Sequence, residues 1–131
     1  MPIESVLQAA RDGLTYERLR LDAASRNIAS ANVPIPIGQA ATQWKVDAAP
    51  ADFGRLMSNS ESLGQQPSAA REVHDPGHPM ADETGRVRYP DTDMVHEMAS
   101  LMTASRGYEA NVRSFNLLRG MMLRALEIGA K

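Results

Sequence analysis

An apolar residue returns every seven positions through the C-terminal segment of the chain: Met94, Leu101, Tyr108, Phe115 and Met122. A second row, Met98, Ser105, Val112 and Leu126, interleaves with the first, and Arg119 is its one charged member. No proline interrupts residues 93–128. A 4–3 alternation held this long is the pattern of a helix seam, because a lone helix has no means of keeping such a stripe from water. At ~1.5 Å rise per residue the helix spans on the order of 50 Å. That length is too great to fold back over one small core, so the segment predicts a partner lying along it.

The first thirty residues carry a matching signal. Leu7, Leu14, Leu21 and Ile28 recur every seven residues, and Ile3, Ala10, Ala24 and Ala31 hold the complementary position, with Glu17 as the polar exception. Small residues there allow a partner helix to come close. Gly13 costs a helix interior about 1 kcal/mol against alanine, so contacts elsewhere must offset it. Arg11, Glu17, Arg18, Arg20 and Asp22 supply a wet or partner-facing surface. The helix is expected to end near Asn32, because Pro34 and Pro36 follow and cannot continue it. The expected fold is mainly α. Long N- and C-terminal helices pair as an antiparallel coiled coil, residues 1–33 and 91–131 form one discontinuous helical domain, and residues 34–90 form an insertion.

Seven of the eight prolines fall in residues 34–90, which marks that insertion as rich in loops. Thr42-Gln43-Trp44-Lys45-Val46 alternates weakly and reads as a short strand. Residues 52–57 suit one or two helical turns. Residues 58–70 are polar and low in hydrophobicity, the composition of a flexible stretch. Arg71-Glu72-Val73-His74 and Gly85-Arg86-Val87-Arg88-Tyr89 read as two further strands, separated by the turn signals Asp75-Pro76-Gly77 and Asp82-Glu83-Thr84-Gly85. A two-stranded hairpin alone is marginal in water, so it must rest on the helices or on a neighbour. Asp93 is the expected N-cap of the second helix, with Asp91 and Glu97 complementing its positive end and Arg119, Arg124 and Lys131 its negative end.

The totals narrow the chemistry. The chain has 131 residues, a formal net charge of −2 and no cysteine. The charge gives no basic footprint for nucleic acid, and the lack of cysteine removes disulfides, thiolate metal sites and cysteine nucleophiles. No run reaches the ~18 apolar residues of a membrane span. Met1-Pro2-Ile3-Glu4 lacks the layout of a cleaved secretory signal. His74 and His78 stand four apart beside Asp75 and Asp82, but Pro76 and Gly77 between them rule out the helix that would aim both at one metal. Gly107 and Gly120 are isolated within a helix, so no phosphate-binding loop is present; Gly107 instead permits close helix packing. No catalytic, cofactor-binding or metal-binding residue is assigned, and neither a small-molecule substrate nor a direct membrane insertion is expected. Trp44 reads equally as a partner anchor and as part of a small local core.

Ser25-Arg26-Asn27-Ile28-Ala29-Ser30-Ala31-Asn32 resembles the N-terminal signature of flagellar axial proteins. A longer match runs from His74-Asp75-Pro76-Gly77-His78-Pro79-Met80-Ala81-Asp82 through Glu83-Thr84-Gly85-Arg86-Val87-Arg88-Tyr89-Pro90. It continues in Asp93-Met94-Val95-His96-Glu97-Met98, Ala104-Ser105-Arg106-Gly107-Tyr108-Glu109-Ala110-Asn111-Val112, Phe115-Asn116 and Leu126-Glu127-Ile128-Gly129. Together these resemble flagellar basal-body rod proteins of the FlgC type, proximal rod subunits of the axial protein family. The resemblance covers roughly residues 3–33 and 72–129; residues 34–70 show little of it.

The resemblance implies a structural subunit, not an enzyme, that stacks helically through its terminal helices and transmits torque from motor to hook. It implies as partners other rod proteins, copies of the same chain, the flagellar type III export apparatus and the junction of the rod with the inner-membrane ring. It also implies export to a periplasmic rod without a cleaved signal. The residues expected to carry assembly are Leu7, Leu14, Leu21, Ile28, Met98, Leu101, Tyr108, Val112, Phe115 and Met122. Asn27, Asn32, Asn111 and Asn116 are the motif's polar members, suited to hydrogen bonds between helices or subunits, or to surface and capping positions. A soluble coiled-coil adaptor or chaperone-like binding module is the alternative that the same helices allow.

Overall fold

The structure, a computed structural model, describes residues 3–47 and 62–129. Helix α1 is Ile3–Ser30 and helix α2 is Met94–Gly129. Between them lie strands β1 (Thr42–Asp47), β2 (Ser62–Pro67), β3 (Ala70–His74) and β4 (Arg86–Pro90). The described chain is thus mainly helical with a β insertion.

Local chemistry sets the helix ends. Asp93 Oδ1 accepts from the backbone N–H of Val95 (3.0 Å) and of His96 (3.1 Å), the N-cap arrangement expected for α2. α1 stops at Ser30, two residues before the expected end near Asn32. The N–H groups of Ala31 and Val33 turn back onto the carbonyls of Ile28 and Ser30 and satisfy them in tight turns. The cations expected at the far end of α2 are not in its last turn. Arg119 and Arg124 lie upstream of that turn, and Lys131 is outside the described residues.

The two helices lie side by side and run in opposite directions. A Cβ on Gly13 would stand 3.0 Å from Asn111 Nδ2, and one on Gly107 would stand 2.8 Å from Glu17 Cδ. Four residues forward in α1 therefore match four residues back in α2. The face of α2 turned to α1 carries Glu97, Ala104, Gly107 and Asn111, with Leu101 at its edge and Glu97 and Ala104 buried. The row expected to complete the seam, Met98–Ser105–Val112–Leu126, sits elsewhere: Met98 is 51% and Leu126 63% exposed, Ser105 is exposed and Val112 half-buried. Glu97, Ala104 and Asn111 take its place one residue earlier, a shift of that row by roughly 100° about the helix axis, while Leu101 of the first row stays at the edge of the contact. Close approach selects side chains by size, and Ala104 and Gly107 are small where Met98 is not. Ala23 and Ala24 answer them as buried residues of α1.

The strands pair as two antiparallel ribbons, β1 with β2 and β3 with β4, in registers that set Trp44 opposite Gln65 and Val73 opposite Val87. The ribbons follow one another closely, because Ser68 N–H donates to Ala41 O and Asp91 N–H to Ala69 O, both at 3.0 Å. Part of the polar stretch 58–70, expected to be flexible, is strand β2; its ladder uses backbone groups, so Gln65 and Gln66 serve as well as apolar residues would. The helical turns expected at residues 52–57 lie outside the described residues. The β3–β4 hairpin is tied to the segment after α1. Ile35 N–H donates to Arg88 O at 2.7 Å, Arg88 Nη1 to Gln39 O at 3.0 Å, and Arg71 Nη2 to Asn32 Oδ1 at 3.1 Å. Val87 is fully buried in β4.

In the hairpin loop Asp82 Oδ1 accepts from Thr84 N–H (2.9 Å), Thr84 Oγ1 (2.7 Å) and Arg86 N–H (2.9 Å). Gly85, at φ 75°, takes the left-handed conformation that closes the loop. The Thr84 hydroxyl, then the Arg86 amide, hold the Asp82 carboxyl below its ordinary value of 3.8.

Two outcomes test this layout. Gly107→Val should displace the Glu17 side chain and its pairing with Arg20 and cost about 1 kcal/mol, read as a lower urea midpoint with the slope unchanged. Because the folded-state value of Asp82 is depressed, its contribution is complete above 3.8 and is lost as the pH falls through the folded value. Acid titration should shift the Thr84 and Arg86 amide resonances below the ordinary carboxylate range. The same titration of Asp82→Ala should show no such step.

Candidate assembly interface

Apolar residues not used between the helices are arranged in rows on α2. Val95, Met98 and Met102 are exposed at spacings of three and four, so they share one face of the helix. Farther along, Leu117, Met121, Leu123, Leu126 and Ile128 are each at least half exposed. Their position follows from the pairing of Gly13 with Asn111. Ten residues before Gly13 bring α1 to its start at Ile3, and ten beyond Asn111 reach Met121. The last turns of α2, from there to Gly129, therefore run past the end of α1. Fully burying one such side chain is worth about 1.5–3 kcal/mol, which makes these rows the candidate contact surface.

The other expected residues flank the contact stripe. Leu7, Leu14, Leu21 and Ile28 of α1 and Leu101, Val112, Phe115 and Met122 of α2 are all half-buried, while Tyr108 is 38% exposed. Leu21 and Leu101 meet in an open groove walled by Thr15, Arg18, Leu19, Asp22 and Ser25. The helix pair thus keeps its small residues inside and turns its larger apolar residues partly outward.

The four motif asparagines have separate fates. Asn27 is buried and bonds the backbone of β1 at Trp44: its Nδ2 donates to Trp44 O at 2.9 Å, and Trp44 N–H donates to its Oδ1 at 2.8 Å. Asn32 is exposed and accepts from Arg71, whose guanidinium also lies 4.9 Å from the Tyr89 ring centre. Asn111 is half-buried against Gly13, and Asn116 is exposed. Trp44 lies on α1, with the Arg26 guanidinium 4.6 Å from its ring centre and Asp22 holding Arg26 at 3.0 Å. Arg20 is paired with Glu17 at 3.1 Å beside the helix contact.

Two residues escaped the sequence reading. Glu97, read as a helix-end charge, is buried and its Oε1 accepts from Gln43 Nε2 at 2.7 Å. Gln43 gave no signal beyond membership of a weak strand. The small stripe of α2 was visible in part through Gly107, but Ala104 does not stand out by type.

His74 ends β3 and His78 sits in the following turn, where its Nδ1 accepts from Met80 N–H at 3.1 Å. Among the described residues no three His, Asp or Glu side chains gather as metal ligands, and no helix is long and apolar enough to cross a membrane.

The family model described as flagellar basal body rod FlgEFG protein C-terminal matches residues 83–128, which hold β4 and nearly all of α2. The flagellar basal-body rod protein FlgC of Salmonella typhimurium is 37% identical over 98% of this chain and 99% of its own length. The protein of the same name from Escherichia coli is 38% identical over the same shares. That of Bacillus subtilis is 31% identical over 94% of this chain and 95% of its own length. The class is that of bacterial flagellar basal-body rod proteins, which are structural components and not enzymes. Within it, the chain belongs to the FlgC family.

Exposure on α2 is checked by limited peroxide oxidation of the isolated chain. Met102 and Met121 should form sulfoxide several-fold faster than the half-buried Met94 and Met122. Equal rates at all four would mean that the rows are covered.

Proposed function

We propose that the chain assembles helically into the proximal part of the flagellar rod through the apolar rows on its helix pair. The observation that carries this reading is the exposure of Val95, Met98, Met102, Leu123 and Leu126 on α2, in a chain whose relatives are rod proteins. In this reading α1 and α2 act as one discontinuous domain, residues 1–33 and 91–131, and pair as a coiled coil. The flanking residues Leu7, Leu14, Leu21, Ile28, Leu101, Tyr108, Val112, Phe115 and Met122 join Met98 against helices of other rod proteins and of further copies. Head-to-tail contacts that do not close into a ring generate a filament. Torque then passes from motor to hook through many such contacts in parallel.

The subunit reaches the periplasm through the flagellar type III apparatus, and the first rod subunits meet the inner-membrane ring. The insertion, residues 34–90, adds contacts around the helices. Its two ribbons leave polar residues and backbone edges for neighbouring subunits.

Leu21→Asp or Phe115→Asp should abolish rod assembly and swimming while export remains detectable, since a buried unpaired charge costs several kcal/mol. Swimming at the normal rate with either variant as the sole copy would mean that these positions face water in the rod.

A further inference from the structure

β1 is held at two points by two different helices. On one side Trp44 turns both its backbone N–H and its C=O away from β2 and onto the Asn27 side chain of α1, at 2.8 and 2.9 Å. A strand edge leaves such groups unpaired, and here the side-chain amide takes the place of a third strand's peptide. One residue earlier, Gln43 Nε2 donates to Glu97 Oε1 of α2 at 2.7 Å. Asn27 and Glu97 are the buried polar residues among those described, at 3% and 6% exposure. A polar group is retained in such a place only when its partner is present, because an unpaired one is costly.

The two bonds depend on each other through geometry. Gln43 and Trp44 are neighbours on one strand, so the placing of the Trp44 backbone sets the reach of the Gln43 side chain. Asn27 lies near the end of α1 and Glu97 in the first turn of α2, and they meet at one place because the helices run antiparallel. Unpaired helices would offer β1 either the amide or the carboxylate, not both.

We infer that Asn27 and Glu97 are positioning residues forming a two-helix clamp on β1, so that the β insertion docks in its final pose only on a paired α1 and α2. The pairing of the two chain ends and the placing of the insertion then form one cooperative event. This holds for the isolated chain, so its failure is separate from any failure of the rod assignment.

Hydrogen exchange of the full-length chain tests it, read at the Trp44 amide, with far-UV circular dichroism reporting the helices. Emission of Trp44, the chain's one tryptophan, follows its environment on α1. Gln43→Leu and Glu97→Leu cut the bond to α2 without touching Asn27. Both should speed exchange at the Trp44 amide about tenfold, shift its emission, and leave helix content unchanged. Glu97→Gln keeps an acceptor oxygen for Gln43 and should restore protection to near the parent rate. Slow Trp44 exchange in Gln43→Leu would overturn the clamp, since α1 alone would then be holding β1. Exchange in Glu97→Gln as fast as in Glu97→Leu would overturn it too. If Glu97→Leu loses helix, Gln43→Leu decides alone, because it changes neither helix.

Discussion

The nearness of α1 to α2 controls what every other residue is free to do. Two glycines sit at that contact, Gly13 against Asn111 and Gly107 against Glu17, where a Cβ would come within 3.0 Å of the opposite side chain. Alanines fill much of the remainder, with Ala24 and Ala104 almost wholly buried. An interface built from small residues brings helix axes close but removes little apolar surface from water. Side-chain entropy costs are also low there, since alanine and glycine have almost none to lose. The larger apolar residues are displaced to the flanks and the outer face, where they remain wet or half wet.

The β insertion follows a different rule. Its attachments are polar and directional: Asn27 to the Trp44 backbone, Gln43 to Glu97, Arg71 to Asn32, and Ile35 N–H to Arg88 O. Contacts of this kind contribute modestly to net stability, about 0.5–1.5 kcal/mol each, but fix orientation closely. A layer held this way is placed more than it is buried. Val87 is its fully buried apolar residue among those described, and the Asp82 loop is organised by hydrogen bonds to a single carboxylate.

These two rules together suit a chain of the FlgC family. A subunit that must join neighbours along its length needs apolar surface left over after its own fold is complete. The outer rows of α2 and the turns of that helix beyond α1 are apolar surface of this kind, left exposed in the single chain.

Much of this was legible from residue order. Heptad recurrence located both helices, the prolines bounded the insertion, Asp93 marked the start of α2, and the turn residues separated β3 from β4. The motifs from Ser25 and from His74 pointed to the family. What order alone left open was which side of α2 meets α1. Periodicity registers apolar type, and by that measure Met98 and Leu126 outrank Glu97, Ala104 and Gly107. The fit between two cylinders ranks side chains by volume instead, and volume matters only once the partner is in place. The same holds for Glu97 and Gln43, fifty-four positions apart: nothing in either neighbourhood announces a bond that exists because antiparallel pairing and the docking of β1 bring them together. Local order thus determined the elements and their ends, while the tertiary structure decided the facing surfaces, because burial is a property of pairs.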